Sequence, residues 1–187
     1  MKKENIMNGQ FNHGFTMIEL LVTMAVAAIL LAIAVPNYQT FVLNSRMSAQ
    51  SNDFLSALQL ARSEAVKRGT LVSVCKSADN ATCTVGGTWA QGWIVFVDGS
   101  GNAGTLDGVD VLIRAFPALT GNSTLTGSAN IADFVSYQAS GATSLAPGST
   151  GTASLCPPAP AAVPGRDIQI TASGRARVQN PPAAACP

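Results

Sequence analysis

The residues of this chain that could bind or react fall into a few small groups, and each group limits the chemistry open to it. Near the C-terminus, TASGRARVQNPPAAACP carries Arg175 and Arg177 two positions apart. Gly174 stands before them, follows a strand-like run and permits a tight turn. In extended backbone the two arginines point to one face, about 6.6–6.8 Å apart. That is comparable to the step between neighbouring phosphates on one nucleic-acid strand. Each planar guanidinium can grip a phosphate through two parallel hydrogen bonds. From Cys156 onward the arginines are Arg166, Arg175 and Arg177, and the only acid is Asp167. The net charge is +1, so any basic site is local rather than a property of the whole molecule. The bland alternative is that these arginines meet acids of a neighbouring subunit or are solvated on a hairpin.

Other constellations fail on spacing. GSGNAG (99–104) matches G-x-G-x-x-G after a strand-like run, but a dinucleotide site needs a helix next and TLDGVDVLIRAF reads as another strand. A hairpin loop is expected there. Asp98, Asn102, Asp107 and Asp110 are oxygen ligands of the kind calcium takes, yet Ala103 and Val109 stand where an EF-hand needs Gly and Glu. Turn-forming polar residues explain them. The single histidine is His13 and there is no C-x-x-C, so no zinc site, other metal or cofactor is expected. No Ser-His or Cys-His pair can be assembled from residues after His13, and the chain reads as a non-enzyme, with no catalytic residues.

The remaining oddity is Glu19. From Phe15 to Val35 it is the only charged residue in 21. A helix of that length spans about 30 Å, the thickness of a bilayer core. It is longer than a typical signal-peptide core, and no A-x-A site follows it. Lys2 and Lys3 before it favour a cytoplasmic N-terminus, which places the rest of the chain outside the cytoplasm. A carboxylate near a bilayer core costs about 2.5–3.5 kcal/mol on insertion scales. An ordinary anchor explains the length and orientation and leaves Glu19 as a tolerated polar residue near a helix end. In an exported chain, four cysteines, Cys75, Cys83, Cys156 and Cys186, point to disulfides. Three pairings are possible, and the sequence-local one, Cys75–Cys83 with Cys156–Cys186, is expected.

GFTMIELLV, a short basic leader ending in Gly followed by Phe-Thr-x-x-Glu and an apolar helix, resembles the N-terminus of type IV pilins and pseudopilins. The resemblance implies cleavage after Gly14 by a prepilin peptidase and N-methylation of Phe15. Glu19 becomes the fifth residue of the mature chain and Pro36 its twenty-second. Cleavage creates an ammonium at Phe15, and the resemblance implies that Glu19 meets that group on a neighbouring pilin subunit. An opposite charge offsets the burial of a carboxylate.

The elements that must position these groups follow from periodicity. Pro36 removes a helical hydrogen bond, so a kink is expected there, with the helix resuming to about Arg68. Phe54, Leu58, Ala61 and Ala65 recur on one helical face. Lys67 and Arg68 suit the helix end and Gly69 its cap. The cluster Arg62, Lys67 and Arg68 reads as a solvated helix end, with anion binding as the alternative. Beyond Gly69, residues 71–75, 92–98, 110–116, 132–138, 152–156 and 166–172 read as strands separated by Gly, Ser, Asn and Pro. Ile168 and Ile170 alternate with Asp167, Gln169 and Thr171, as in an antiparallel sheet with one wet face. Residues 157–165 read as an exposed loop.

The expected class is α+β: a long N-terminal helix packed on a β-rich antiparallel-sheet head. Its parts would be a leader at 1–14, a helix at 15–68 with 15–35 transmembrane, and a periplasmic head at 69–187. LQLARSEAVKRGTLVSVC (58–75) with GWIVFVD (92–98) is similar to the GspH/FimT branch of minor pilins and pseudopilins. GRAR also resembles the GRxR tail motif of FimT-like minor pilins, matched at Gly174, Arg175 and Arg177. That resemblance implies sequence-independent DNA binding for uptake in natural transformation, by a subunit that passes from the inner membrane into a pilus at the cell surface. The alternative it leaves open is a structural subunit that primes a type IV pilus or a type II secretion pseudopilus without binding DNA.

Overall fold

The computed structural model describes residues 14–100, 102–160, 163–179 and 186. Residues 1–13, Gly101, Ala161, Ala162 and the tail from residue 180, Cys186 excepted, lie outside the described residues.

Helix α1 runs Met17–Arg68, and its first turn is held by Thr16, whose hydroxyl oxygen accepts the Glu19 amide at 3.3 Å. Thr16 and Glu19 have capping-box spacing. The bond that forms uses the Glu19 backbone, while the Glu19 carboxylate makes no hydrogen bond or ion pair among the described residues. The chain stays helical through Pro36. The chain divides into two compact units, Met1–Gln39 and Thr40–Pro187. In the first, the apolar side chains from Phe15 to Val35 are exposed, and this part of α1 is long and apolar enough to cross a membrane by length and composition.

The second unit contains the hydrophobic core. There α1 buries Phe54, Leu58, Ala61 and Ala65, the face anticipated from their spacing, together with Met47 and Ala57. Three alanines at i, i+4 and i+8 let the helix approach its neighbours closely. Lys67 and Arg68 occupy the last turn, and Gly69, at φ +66°, returns its amide to the Ala65 carbonyl. Left-handed backbone at that position is open to glycine at no steric cost.

Two antiparallel sheets complete the unit. β1 (Val72–Lys76), β2 (Trp93–Val97), β3 (Val111–Phe116) and β5 (Phe134–Tyr137) form one, ordered β3-β2-β1-β5. β4 (Thr124–Gly127), β6 (Thr150–Cys156), β7 (Arg166–Thr171) and β8 (Ala176–Gln179) form the other, ordered β4-β6-β7-β8. Both sheets contribute to the cluster around α1, including Val74 and Val95 from one and Leu155, Ile168 and Ile170 from the other. Phe54 sits edge-on to Trp89 at 5.1 Å and to Trp93 at 5.2 Å, a favoured aromatic geometry. The Trp89 indole N–H donates to the Ile131 carbonyl at 3.0 Å, which satisfies its one polar atom.

GSGNAG belongs to the β2–β3 hairpin, as its sequence context suggested. Asp98 and Asp110 take part in holding the loop. Asp98 accepts the Gly104 amide and the Ser73 hydroxyl, and Asp110 accepts the Gly99 and Asp107 amides. Among the described residues no cluster of His, Cys, Asp and Glu could hold a metal ion. One expectation needs correction: the 157–165 segment is not simply exposed. Val163 enters the core and Gly165 is buried, because a Cβ there would meet Cys186 Sγ and the Leu155 carbonyl.

The disulfides are Cys75–Cys83 and Cys156–Cys186. The second bridges a sequence separation of 30 and ties Cys186 to the end of β6. In the chain-entropy account such a loop contributes about 3.5 kcal/mol. Reduction, or Cys186→Ser, is therefore expected to lower the melting temperature and open residues 156–187 to protease. Unchanged protease resistance under reductant would show that other contacts hold the tail.

Candidate functional site

The arginine pair lies on the β7–β8 hairpin, and local geometry dictates which way it faces. Thr171 closes the turn: its amide donates to the Arg175 carbonyl at 3.0 Å, and its carbonyl accepts the Gly174 amide at 2.9 Å. Its hydroxyl also bonds to the Arg175 backbone. Gly174 is at φ +82°, and a Cβ there would run into the Gly141 carbonyl oxygen. Only glycine fits, so the start of GRAR is fixed by the fold before any ligand is considered.

Beyond the turn, Ala176 pairs with Ile170, Arg177 with Gln169 and Val178 with Ile168. Ala176 and Val178 pack against the core. Successive strand residues point to opposite faces, so Arg175 and Arg177 are turned outward, and both are exposed. Arg177 donates to Gln169 Oε1 at 3.0 Å, a neutral partner, and neither arginine has an ion pair among the described residues. The acid on that face, Asp167, accepts the Ser154 hydroxyl at 2.7 Å. β8 is also an edge strand, so among the described residues no further strand lies on one side of it.

Arg166 does not join them. It starts β7 on the face of Ile168 and Ile170, and its guanidinium donates to Asn44 Oδ1 and Ser48 Oγ of α1, each at 2.9 Å. Its contacts lie on the other face of the sheet from Arg175 and Arg177. Its place in the basic count of the tail was correct; its grouping with the pair is not retained, because the strand period of two separates them.

The helix-end cluster also divides. Lys67 and Arg68 both face Glu64, at 3.8 and 2.6 Å, and the Arg68 hydrogen bond holds the Glu64 carboxyl below its ordinary range. Arg62 turns elsewhere. It donates through Nε to the Gly141 carbonyl at 3.0 Å and through a terminal nitrogen to the Ser173 carbonyl at 3.4 Å. Those partners are 79 and 111 residues away, so no local pattern could have placed Arg62 beneath the hairpin turn.

Residues 50–174 match the family model described as type II transport protein GspH. Residues 10–35 match the one described as the prokaryotic N-terminal methylation motif. Among solved structures the chain is similar to the type IV minor pilin FimU of Pseudomonas aeruginosa in two crystal forms. The TM-scores are 0.55 and 0.52 at 21% and 22% identity, covering 79% and 75% of this chain and 96% of that chain each time. At such identity the likeness is one of fold. The minor pseudopilin EpsH of the Vibrio cholerae type 2 secretion system is also similar, with a TM-score of 0.48 and 16% identity over 74% of this chain and 98% of that one. The first family match ends at Gly174, so Arg175 and Arg177 lie just past it.

Proposed function

The chain belongs to the GspH family, whose members here are type IV minor pilins and pseudopilins, and on that premise we propose that it is a pilus subunit that holds DNA through Arg175 and Arg177. The observation that carries this reading is the exposed arginine pair at the start of an edge strand, with the one acid on that face, Asp167, engaged by the Ser154 hydroxyl. Phosphates of any sequence fit such a pair, so recognition is electrostatic and independent of base order. Few contacts make each copy weak, and several copies in one filament compensate through avidity.

The same reading assigns the N-terminus. Cleavage after Gly14 by a prepilin peptidase leaves a methylated Phe15. The helix from 15 to 35 holds the subunit in the inner membrane, with the 69–187 head in the periplasm until assembly. Glu19 then pairs with the terminal ammonium of an adjacent subunit.

The test is fluorescence anisotropy of a 30-base-pair duplex with the full chain in neutral detergent. Two phosphate contacts give a log–log salt slope of about −2. Arg175→Ala/Arg177→Ala is expected to weaken binding at least about tenfold at low salt and flatten that slope. Absence of binding at low salt, or binding indifferent to the double substitution, would overturn the DNA reading. A second reading, a subunit that primes a pilus or pseudopilus, draws on β3, an edge strand that exposes Val111 and Leu112 beside Val109.

A further inference from the structure

The face of the second sheet that displays Arg177 continues across three more strands. The register sets Arg177 beside Gln169 and Gln169 beside Thr152, one row over β8, β7 and β6. Ser128 closes the row: its hydroxyl accepts the Thr152 amide, and its own amide donates to the Thr152 carbonyl. The next row holds Thr126, Ser154 and Asp167. Where the rows reach β4 they border a groove of about 340 Å³, lined by the hydroxyl-bearing Thr124, Thr126, Ser128, Thr152 and Ser154. Ser128 donates its hydroxyl to Asn130 Oδ1, and Ser154 donates to Asp167. The hydroxyls of Thr124, Thr126 and Thr152 make no hydrogen bond among the described residues. Neither does the Gln169 amide nitrogen, its oxygen being the acceptor for Arg177. Thr126 is exposed and Thr152 half-buried, so both present surface to a ligand in the groove.

Spacing says which ligand reaches both ends of the face. Three inter-strand steps separate β8 from β4, about 14 Å. The major groove of B-form DNA is about 12 Å wide. A backbone gripped by Arg175 and Arg177 runs with β8, at right angles to the rows, and its own next phosphates leave the sheet at the ends of that strand. The backbone that reaches β4 is then the complementary one. Hydroxyls are ordinary partners of phosphate and sugar in protein–DNA contacts.

We propose that this face is a duplex platform, in which Arg175 and Arg177 hold one DNA backbone and the Thr126 and Thr152 hydroxyls hold the other across a groove of the double helix. The platform rests on the DNA reading and goes beyond it, naming double-stranded DNA as the form held and the β4 side of the sheet as the second line of contact. Asp167 lies between the two lines, under the groove of the duplex rather than under a backbone.

The experiment measures anisotropy of the 30-base-pair duplex, and of one of its strands alone, with the full chain in neutral detergent. The parent is compared with Thr126→Val/Thr152→Val, Thr126→Lys and Arg175→Ala/Arg177→Ala. Valine keeps the branched shape and strand preference of threonine and removes only the hydroxyl, so the melting temperature is expected to hold. Duplex affinity of the double valine variant is expected to fall about tenfold, with single-strand affinity unchanged. Thr126→Lys is expected to raise duplex affinity and to steepen its log–log salt slope by about one. If neither threonine variant moves duplex affinity while the double arginine variant loses it, the platform is overturned and the DNA reading survives. Equal losses on duplex and single strand overturn the two-backbone geometry. Unchanged duplex binding by Thr126→Lys, together with its absence from filaments, would make the groove a contact with another subunit and overturn the platform. A chain that binds neither form of DNA overturns both readings.

Discussion

Replacing Glu19 by alanine is expected to abolish incorporation of the subunit into filaments while leaving the Thr40–Pro187 unit folded. The helix start is not what fails. Thr16 accepts the backbone amide of residue 19, and alanine keeps that amide. What alanine removes is a carboxylate with no hydrogen bond or ion pair among the described residues, on a stretch whose neighbours are exposed and apolar. If Glu19 pairs as proposed, its loss would leave the neighbouring subunit's ammonium buried without a partner, an effect of about 3–5 kcal/mol per contact. That corresponds to a hundredfold or greater loss at each addition. Glu19→Gln sharpens the test, since glutamine suits the same capping position and carries no charge. Sheared-pilus immunoblots should show both variants absent from filaments and present in membranes. Normal incorporation of Glu19→Gln would remove charge pairing as the role of this residue.

The second large effect is expected at Gly174. Alanine there must hold φ near +82° and drive its Cβ into the Gly141 carbonyl oxygen, which itself accepts the Arg62 Nε–H. The backbone strain alone is about 1–2 kcal/mol. The collision adds to it, because the neighbour is main chain and cannot swing away, and a total of about 3–4 kcal/mol places Gly174→Ala among severe substitutions. Gly148→Ala is the control. Gly148 has nearly the same φ, +79°, and open space where a Cβ would go. Thermal unfolding followed by near-UV dichroism of Trp89 and Trp93 should show a small loss for Gly148→Ala and a much larger one for Gly174→Ala. Equal losses would mean that the Gly141 contact relaxes freely.

What the sequence disclosed depended on whether the signal was local. The helix face of Phe54, Leu58, Ala61 and Ala65 and the alternation of Ile168 and Ile170 were readable, because burial imposes a period on adjacent residues. Six strands stand within two residues of their expected bounds. β4 and β8 were passed over. TLTG buries only Leu125, and ARVQ alternates arginine with Ala176 and Val178, which reads as a polar tail until β7 is beside it. The small number of apolar side chains in each gives composition little to work on. Arg62 was invisible as a hairpin support because its partners lie on two other loops. Val163 was misplaced because a Pro/Ala-rich run carries no period, and its burial rests on contacts distant in sequence.

The alternation along β8 also bears on how this tail can change over generations. Ala176 and Val178 answer to the core, while Arg175 and Arg177 answer to solvent and to whatever binds there. Drift at the outer positions alters affinity and leaves the strand in place, so a lineage can strengthen, retune or abandon the tail's grip one codon at a time. Gly174 has no such freedom. The platform is inherited whole, and only what it displays is open to selection.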